Sequence, residues 1–248
     1  MFHLALAIFL VAEITPGKDL IKEKRAEGDH WTIQTAKGEI HLWKPQHYLH
    51  NSAGLVVYLH GYFIDVAGAC REHWIPEQFA ASVQNALFIS AESPKSDEEE
   101  VVWNDLEELL RIVLSRVNFR RPPGPLVVMG HSGAFRTIVK WLGHPELNTI
   151  ILLDGLYTPA VNPLLEWLKN ASHHRLILVG YDTHSNAMEL LTKFPVAVLR
   201  EGVPEKFSQF TPSEFREQLV IIHSQYGHME IITQGQAIPM VLRLSPLR

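Results

Sequence analysis

The sequence holds a single cysteine, Cys70, in 248 residues. One cysteine excludes an intrachain disulfide and a thiolate metal cage, and it leaves the redox compartment open. No cluster of Lys and Arg stands out: 22 basic residues against 27 acidic ones give a formal net charge of −5. A chain of that sign does not gather polyanions, so nucleic acid is not an expected partner. Long hydrophobic runs are also missing. "FHLALAIFLVA", Phe2 to Ala12, is 11 residues, about half of the ~20 that a spanning helix needs, so no stable membrane span is expected. There is no internal repeat, no low-complexity tract and no linker. With 46% hydrophobic residues, the chain reads as one globular domain over 18–248.

The short apolar run near Met1 has the length of the hydrophobic region of a secretory signal. Its flanks fit less well. The residues before it carry His3 but no Lys or Arg, and Leu10 is large for the cleavage position in "LVA". Two readings stand for residues 1–17. One is a signal peptide, with export to the periplasm or the medium. The other is a first buried element of a cytoplasmic protein.

What the sequence does contain is an alternation of short apolar runs with helical patterns, which implies a mostly parallel sheet wrapped by helices. "HWTIQTAKGEIHLWKP" (30–45) reads as an N-terminal antiparallel hairpin around Lys37-Gly38. "GLVVYLHG" (54–61), "NALFISAES" (85–93), "PLVVMG" (125–130), "NTIILLDG" (148–155), "HRLILVGYD" (174–182) and "QLVIIH" (218–223) read as buried strands. Trp103, Leu106, Leu110, Val113 and Val117 recur at spacings of 3, 4, 3 and 4, one apolar stripe of a helix over 101–117. Ser96 and Glu99 are placed as its capping box, with the acids of 97–100 at its positive end.

The chemistry concentrates where the strand "PLVVMG" stops at Gly130-His131-Ser132-Gly133-Ala134 and a helical pattern begins. A serine hydroxyl is a weak nucleophile at neutral pH. It needs a base within hydrogen-bond reach, an acid that orients the base, and donors for the developing oxyanion. A sharp strand-to-helix turn lifts such a serine above the sheet edge and crowds the residues two before and two after it, which must be small. Gly130 and Ala134 hold those positions.

In these residues the chain resembles the α/β-hydrolase superfamily, in the order of its elements from about residue 30 to 245. The usual elbow is Gly-x-Ser-x-Gly, and this chain departs from it at Ala134. The resemblance implies a mostly parallel central sheet with helices on both faces; no cofactor is expected, and the short spacing of the later strands leaves no room for a large cap. It implies Ser132 as nucleophile, with the backbone N–H of Gly133 as one oxyanion donor. "YLHGYF" (58–63) has the form of the loop that supplies the second donor, which would be the backbone N–H of Tyr62. The superfamily's order is Ser, acid, His, and His228 in "SQYGHMEI" follows the last strand where the base belongs. His223 lies within that strand, and His173 and His174 precede a strand at the wrong end. The acid has two candidates at strand C-termini: Asp182, the favoured one, and Asp154, the alternative.

Asp65, Arg71, His73 and Trp74 read as a solvated loop and helix start rather than as a pocket wall. Asp182 and His184 have the spacing of two metal ligands but no third, so no metal is expected. The activity implied is cleavage of a carboxylic ester through an acyl-enzyme, on a small-molecule or polymeric acyl substrate. A peptidase or amidase of the same fold and a catalytically silent binding protein are the alternatives. Gly155 to His174 leaves room for one crossover helix, so an open cleft is expected, walled by residues 62–74 and 200–216. The oligomeric state is not legible.

Overall fold

The computed structural model describes residues 19–247. The segment 1–17, and with it the signal-peptide expectation, lies outside the described residues. Ten strands form one sheet: β1 (Leu20–Arg25), β2 (Gly28–Thr35), β3 (Gly38–Pro45), β4 (Gly54–Leu59), β5 (Ala86–Ala91), β6 (Leu126–His131), β7 (Leu147–Leu153), β8 (Arg175–Gly180), β9 (Ala197–Glu201) and β10 (Leu219–His223). Their spatial order is β1-β2-β3-β5-β4-β6-β7-β8-β10-β9. β1, β2, β3 and β5 pair antiparallel, and β5, β4, β6, β7, β8, β10 and β9 pair parallel. The mostly parallel sheet with an antiparallel N-terminal portion is therefore as the sequence implies.

Helices cover both faces: α1 (Val66–Glu72), α2 (Ile75–Ser82), α3 (Leu106–Arg116), α4 (Phe135–Lys140), α5 (Thr158–Asn170), α6 (His184–Lys193), α7 (Pro212–Arg216), α8 (Glu230–Thr233) and α9 (Ala237–Leu242). The strands read as unbroken apolar runs because neither face meets water. In β4, Leu55, Val57 and Leu59 join the core on one face, which includes Leu110 of α3, Ile138 of α4 and Leu164 of α5. Val56 and Tyr58 of the same strand join the core on the other face, with Phe79 of α2, Ile231 of α8 and Val241 of α9.

Three expectations shift. The helix starts at Leu106 rather than 101, capped by Asp105, whose carboxylate accepts from the Glu107 N–H at 2.9 Å. Ser96 and Glu99 sit in the preceding loop, where the Glu99 carboxylate accepts from the Lys95 N–H at 2.7 Å. Trp103 still packs in the core but ahead of the helix. The strands β1 and β9 are additional. Both carry exposed or half-buried side chains at the two sheet edges, and such strands lack the apolar signature that marks the central ones. The crossover from β7 to β8 carries α5 alone, so no cap interrupts the sheet there.

β2 and β3 bury a stacked histidine pair, His30 and His41, with His30 Nε2 2.9 Å from His41 Nδ1. Burial is the main cause that pushes His41 down to about 3 from 6.5. Below pH 6.5 the unfolded chain therefore takes a proton that the folded chain refuses, and stability is lost as pH falls through that value. The melting temperature is expected to drop between pH 7.5 and pH 5, with a shallower drop in His41→Gln. Identical pH slopes in calorimetric scans of the two proteins would remove His41 from the effect.

Candidate active site

β6 ends at His131, and Ser132 follows with φ of +50°, a conformation a non-glycine residue adopts only when its surroundings impose it. A short 3-10 turn, Ser132–Ala134, then leads into α4. The crowding foreseen around the serine is present. A Cβ on Gly130 would stand 2.9 Å from Ala134 Cβ and 2.7 Å from Ile138 Cδ1. Ala134 is tolerated because Gly130 leaves that space empty. Gly61 approaches from the end of β4, where an added Cβ would meet Ser132 Cβ at 2.9 Å and His131 Nδ1 at 2.8 Å.

His228, in the loop between β10 and α8, places Nε2 3.1 Å from Ser132 Oγ. Its Nδ1 lies 2.7 Å from Oδ2 of Asp154. A carboxylate only accepts, so Nδ1 carries the proton and Nε2 presents its lone pair to the hydroxyl. The hydrogen bond to Asp154, with the attached charge, raises the His228 pKa above the ordinary 6.5 against the opposing effect of burial.

The structure reverses the order of the two acids. Asp182 Oδ2 stands 3.9 Å from His228 Nδ1, and its side chain is 63% exposed. Asp154 is fully buried at the end of β7, with φ of +45°. Its carboxylate accepts from the N–H groups of Tyr181 (2.8 Å), Asp182 (3.3 Å) and Thr183 (2.9 Å), and from the Thr183 hydroxyl (2.9 Å). Asp182 thus contributes its backbone rather than its side chain. The turn from β8 into α6 folds three successive N–H donors onto the neighbouring strand end and turns the Asp182 carboxylate outward. Burial alone would raise the Asp154 pKa, but the hydrogen bonds from His228, Thr183 and Tyr181 hold it far below the usual carboxylate range.

The two residues expected to supply oxyanion donors, Gly133 and Tyr62, both line the cavity with Ser132. A Cβ on Gly133 would fall 2.1 Å from the Tyr62 ring, so these two residues are in direct contact. Among the described residues, the Tyr62 N–H has no acceptor. One determinant of this loop escaped the sequence reading. His60, fully buried, accepts the Ser93 N–H at Nε2 (2.9 Å), so its Nδ1–H donates to the Gly61 carbonyl (2.7 Å). Holding that carbonyl also fixes the Tyr62 N–H, which points the opposite way across the same trans peptide. His131 is a second one. It is buried, its Nε2–H donates to the His228 carbonyl at 3.1 Å, and its ring lies 4.6 Å from that of His228. Burial pushes it down to about 3, so it stays neutral. The adjacency to Ser132 and Gly61 was the available signal for both.

The remaining candidates are structural. Asp65 caps α1 by accepting the Gly68 N–H at 2.7 Å, Arg71 pairs with Glu72 on the surface, and Trp74 opens α2. His184 stacks on His223 at 4.1 Å. Asp154, Asp182 and His228 bring ligand-type atoms within 4.8 Å of one another, an arrangement already accounted for by the hydrogen bond between Asp154 and His228. A cavity of about 680 Å³ opens at Ser132. Tyr62, Phe63, Asp97, Phe135, Tyr157 and Met229 are among the residues that line it. Residues 200–216, expected as a wall, do not line it: they form β9, α7 and their connections at the far sheet edge.

Removing the buried carboxylate leaves several donors unpaired, which costs about 3–5 kcal/mol, or roughly 6–20 °C of melting temperature in a chain of this size. Asp154→Ala is therefore expected to melt far below the parent and Asp182→Ala within about 1 °C of it. Circular dichroism melts decide this, and equal losses in both variants would contradict the assignment of partners.

No protein-family model matches this sequence, and no curated protein matches it. Solved structures do. An S-formylglutathione hydrolase from Agrobacterium tumefaciens superposes with TM-score 0.60 at 11% identity, over 93% of this chain and 100% of that one. The feruloyl esterase module from Clostridium thermocellum gives 0.52 at 10% identity, over 91% and 89%. Brefeldin A esterase, described as a bacterial homologue of human hormone sensitive lipase, gives 0.50 at 13%, over 96% and 76%. At such identities the likeness speaks for architecture alone, and on that architecture the conclusion is plain: this chain has the α/β-hydrolase fold.

Proposed function

We propose that the protein is a serine esterase that cleaves a carboxylic ester through an acyl-enzyme. The observation that carries this reading is the line Ser132 Oγ, His228 Nε2, His228 Nδ1, Asp154 Oδ2, with contacts of 3.1 and 2.7 Å, opening on a cavity. In it, His228 takes the Ser132 proton as Oγ attacks the ester carbonyl, and returns it to the leaving alcohol. Asp154 orients the imidazole and stabilises the imidazolium. The N–H groups of Gly133 and Tyr62 receive the oxyanion, with His60 as the positioning residue for Tyr62. A water activated by His228 then releases the acid. The esterases and the S-formylglutathione hydrolase among the structural neighbours support an ester rather than an amide.

Ser132→Ala is expected to abolish labelling by a fluorophosphonate probe and to lower kcat by at least ~10³, with the fold retained because Ala suits the turn. Labelling at the parent level would move the nucleophile elsewhere. Asp154→Asn should lower kcat by up to about 10⁴, because it disturbs the tautomer and the imidazolium. Asp182→Asn should stay within a few-fold of the parent. The reverse result would restore Asp182 as the acid.

The acid limb of kcat/KM reports His228, which must be neutral to act as a base. Since Asp154 raises its pKa, activity is expected to fall below a midpoint that lies above 6.5, the ordinary histidine value. In Asp154→Asn the midpoint should move to lower pH. A midpoint that stays in place would show that another group titrates.

A further inference from the structure

On the reading of Ser132 as the nucleophile, we propose that this site selects esters that carry a planar aromatic group and no negative charge. The inference starts from the walls of the cavity. Four aromatic rings, Tyr62, Phe63, Phe135 and Tyr157, line a space of about 680 Å³ next to Ser132, which suits a ligand of small-molecule size. Phe135 and Tyr157 form one wall, with centroids 5.4 Å apart and planes at 32°. Tyr62 and Phe63 meet edge to face at 6.3 Å and 85°, so this side offers both a ring face and a ring edge. An aryl guest gains offset or edge-on ring contacts here that an alkyl chain of equal area lacks.

Phe63 is the most informative of the four. The residue is 93% exposed, and its backbone sits at φ of +66°. A phenyl ring in water and a left-handed phenylalanine are both unfavourable, and the edge-to-face contact with Tyr62 covers little of the ring. The conformation is held nonetheless: the Phe63 N–H donates to the Lys95 carbonyl at 2.9 Å. Met229, directly after the base, is 49% exposed at the same mouth. Phe63 and Met229 thus present exposed apolar side chains at the cavity beside Ser132, where a ligand would cover them.

Charge supplies the second half. Asp97 is the lining carboxylate, and among the described residues no Lys or Arg lines the cavity. Arg136 lies behind Tyr62, where its guanidinium donates to the Tyr62 hydroxyl and to the carbonyls of Ser96 and Glu99. Asp182 adds a largely exposed carboxylate 3.9 Å from His228. An ester with its own carboxylate meets the like charge of Asp97 on the lining and of Asp182 beside His228, and finds no Lys or Arg on the lining.

The test compares matched esters by acid release: methyl 3-phenylpropanoate against methyl hexanoate, and benzyl acetate against hexyl acetate. In at least one pair the aryl ester should show a kcat/KM about fivefold higher, and the pair that responds tells whether the ring belongs to the acid or to the alcohol. Phe63→Ala and Tyr157→Leu should each lower this aryl-to-alkyl ratio, while Trp74→Ala, an exposed ring outside the cavity, should leave it unchanged. 4-Carboxybenzyl acetate should react about tenfold more slowly than benzyl acetate, and Asp97→Asn should shrink that gap. Phenylboronic acid should inhibit more tightly than butylboronic acid, which tests the same preference without turnover. Esters cleaved with no aryl preference, or a ratio unmoved by Phe63→Ala, would overturn this inference and leave the esterase standing. No hydrolysis and no labelling of Ser132 would remove both.

Discussion

The hydrogen bonds gathered by the Asp154 carboxylate organise everything around them. Its carboxylate ties together the ends of β7 and β8 and the loop after β10, three segments drawn from 154, 181–183 and 228. A charge with no solvent exposure survives only when its oxygens are fully engaged, and here the engagement is the geometry of the site. The three N–H donors at the start of α6 satisfy the anion, the anion fixes the imidazole tautomer, and the imidazole is thereby aimed at Ser132. The proposed reaction uses a constraint that the fold must meet anyway to bury that group.

Around Ser132 the constraint is close approach rather than charge. Gly61 after β4, Gly130 in β6 and Gly155 after β7 all come near the serine, and a side chain on any of them would crowd its atoms or those of its neighbours. The backbone strain at Ser132 is thus sustained by packing from two adjacent strands. His60 and His131 complete this arrangement from below. Each is buried, and each uses a ring N–H to hold a backbone carbonyl, that of Gly61 and that of His228.

Much of this is legible in the sequence, and the reasons differ by element. The central strands are readable because burial on both faces leaves only apolar side chains, and the elbow is readable because sterics restrict it to small residues. His228 could be located from its position after the last strand. The edge strands β1 and β9 could not, since pairing on one side imposes no pattern on their side chains. The choice between the two acids is not legible for a similar reason. Asp154 and Asp182 both end parallel strands, and their distinction lies in where the N–H groups of 181–183 point, which depends on backbone torsions and leaves no mark in residue type. The helix at 106–116 was extended too far because Trp103 continues its stripe, although Asp105 is the residue that caps it.

The position of β10 has a consequence for how the chain reaches this structure. It is the last strand in sequence, yet it lies inside the sheet, between β8 and β9. Until residues 219–223 are available, β8 presents an open, apolar edge and β9 has no partner at all. Assembly of this half of the sheet is thus a late, long-range event, of the kind that slows folding and leaves strand edges open to other chains. The same insertion delivers His228, five residues beyond the strand. Growth of the polypeptide therefore keeps the proposed nucleophile and base apart until the sheet is closed, so a nascent or truncated chain would display Ser132 without the imidazole proposed to activate it.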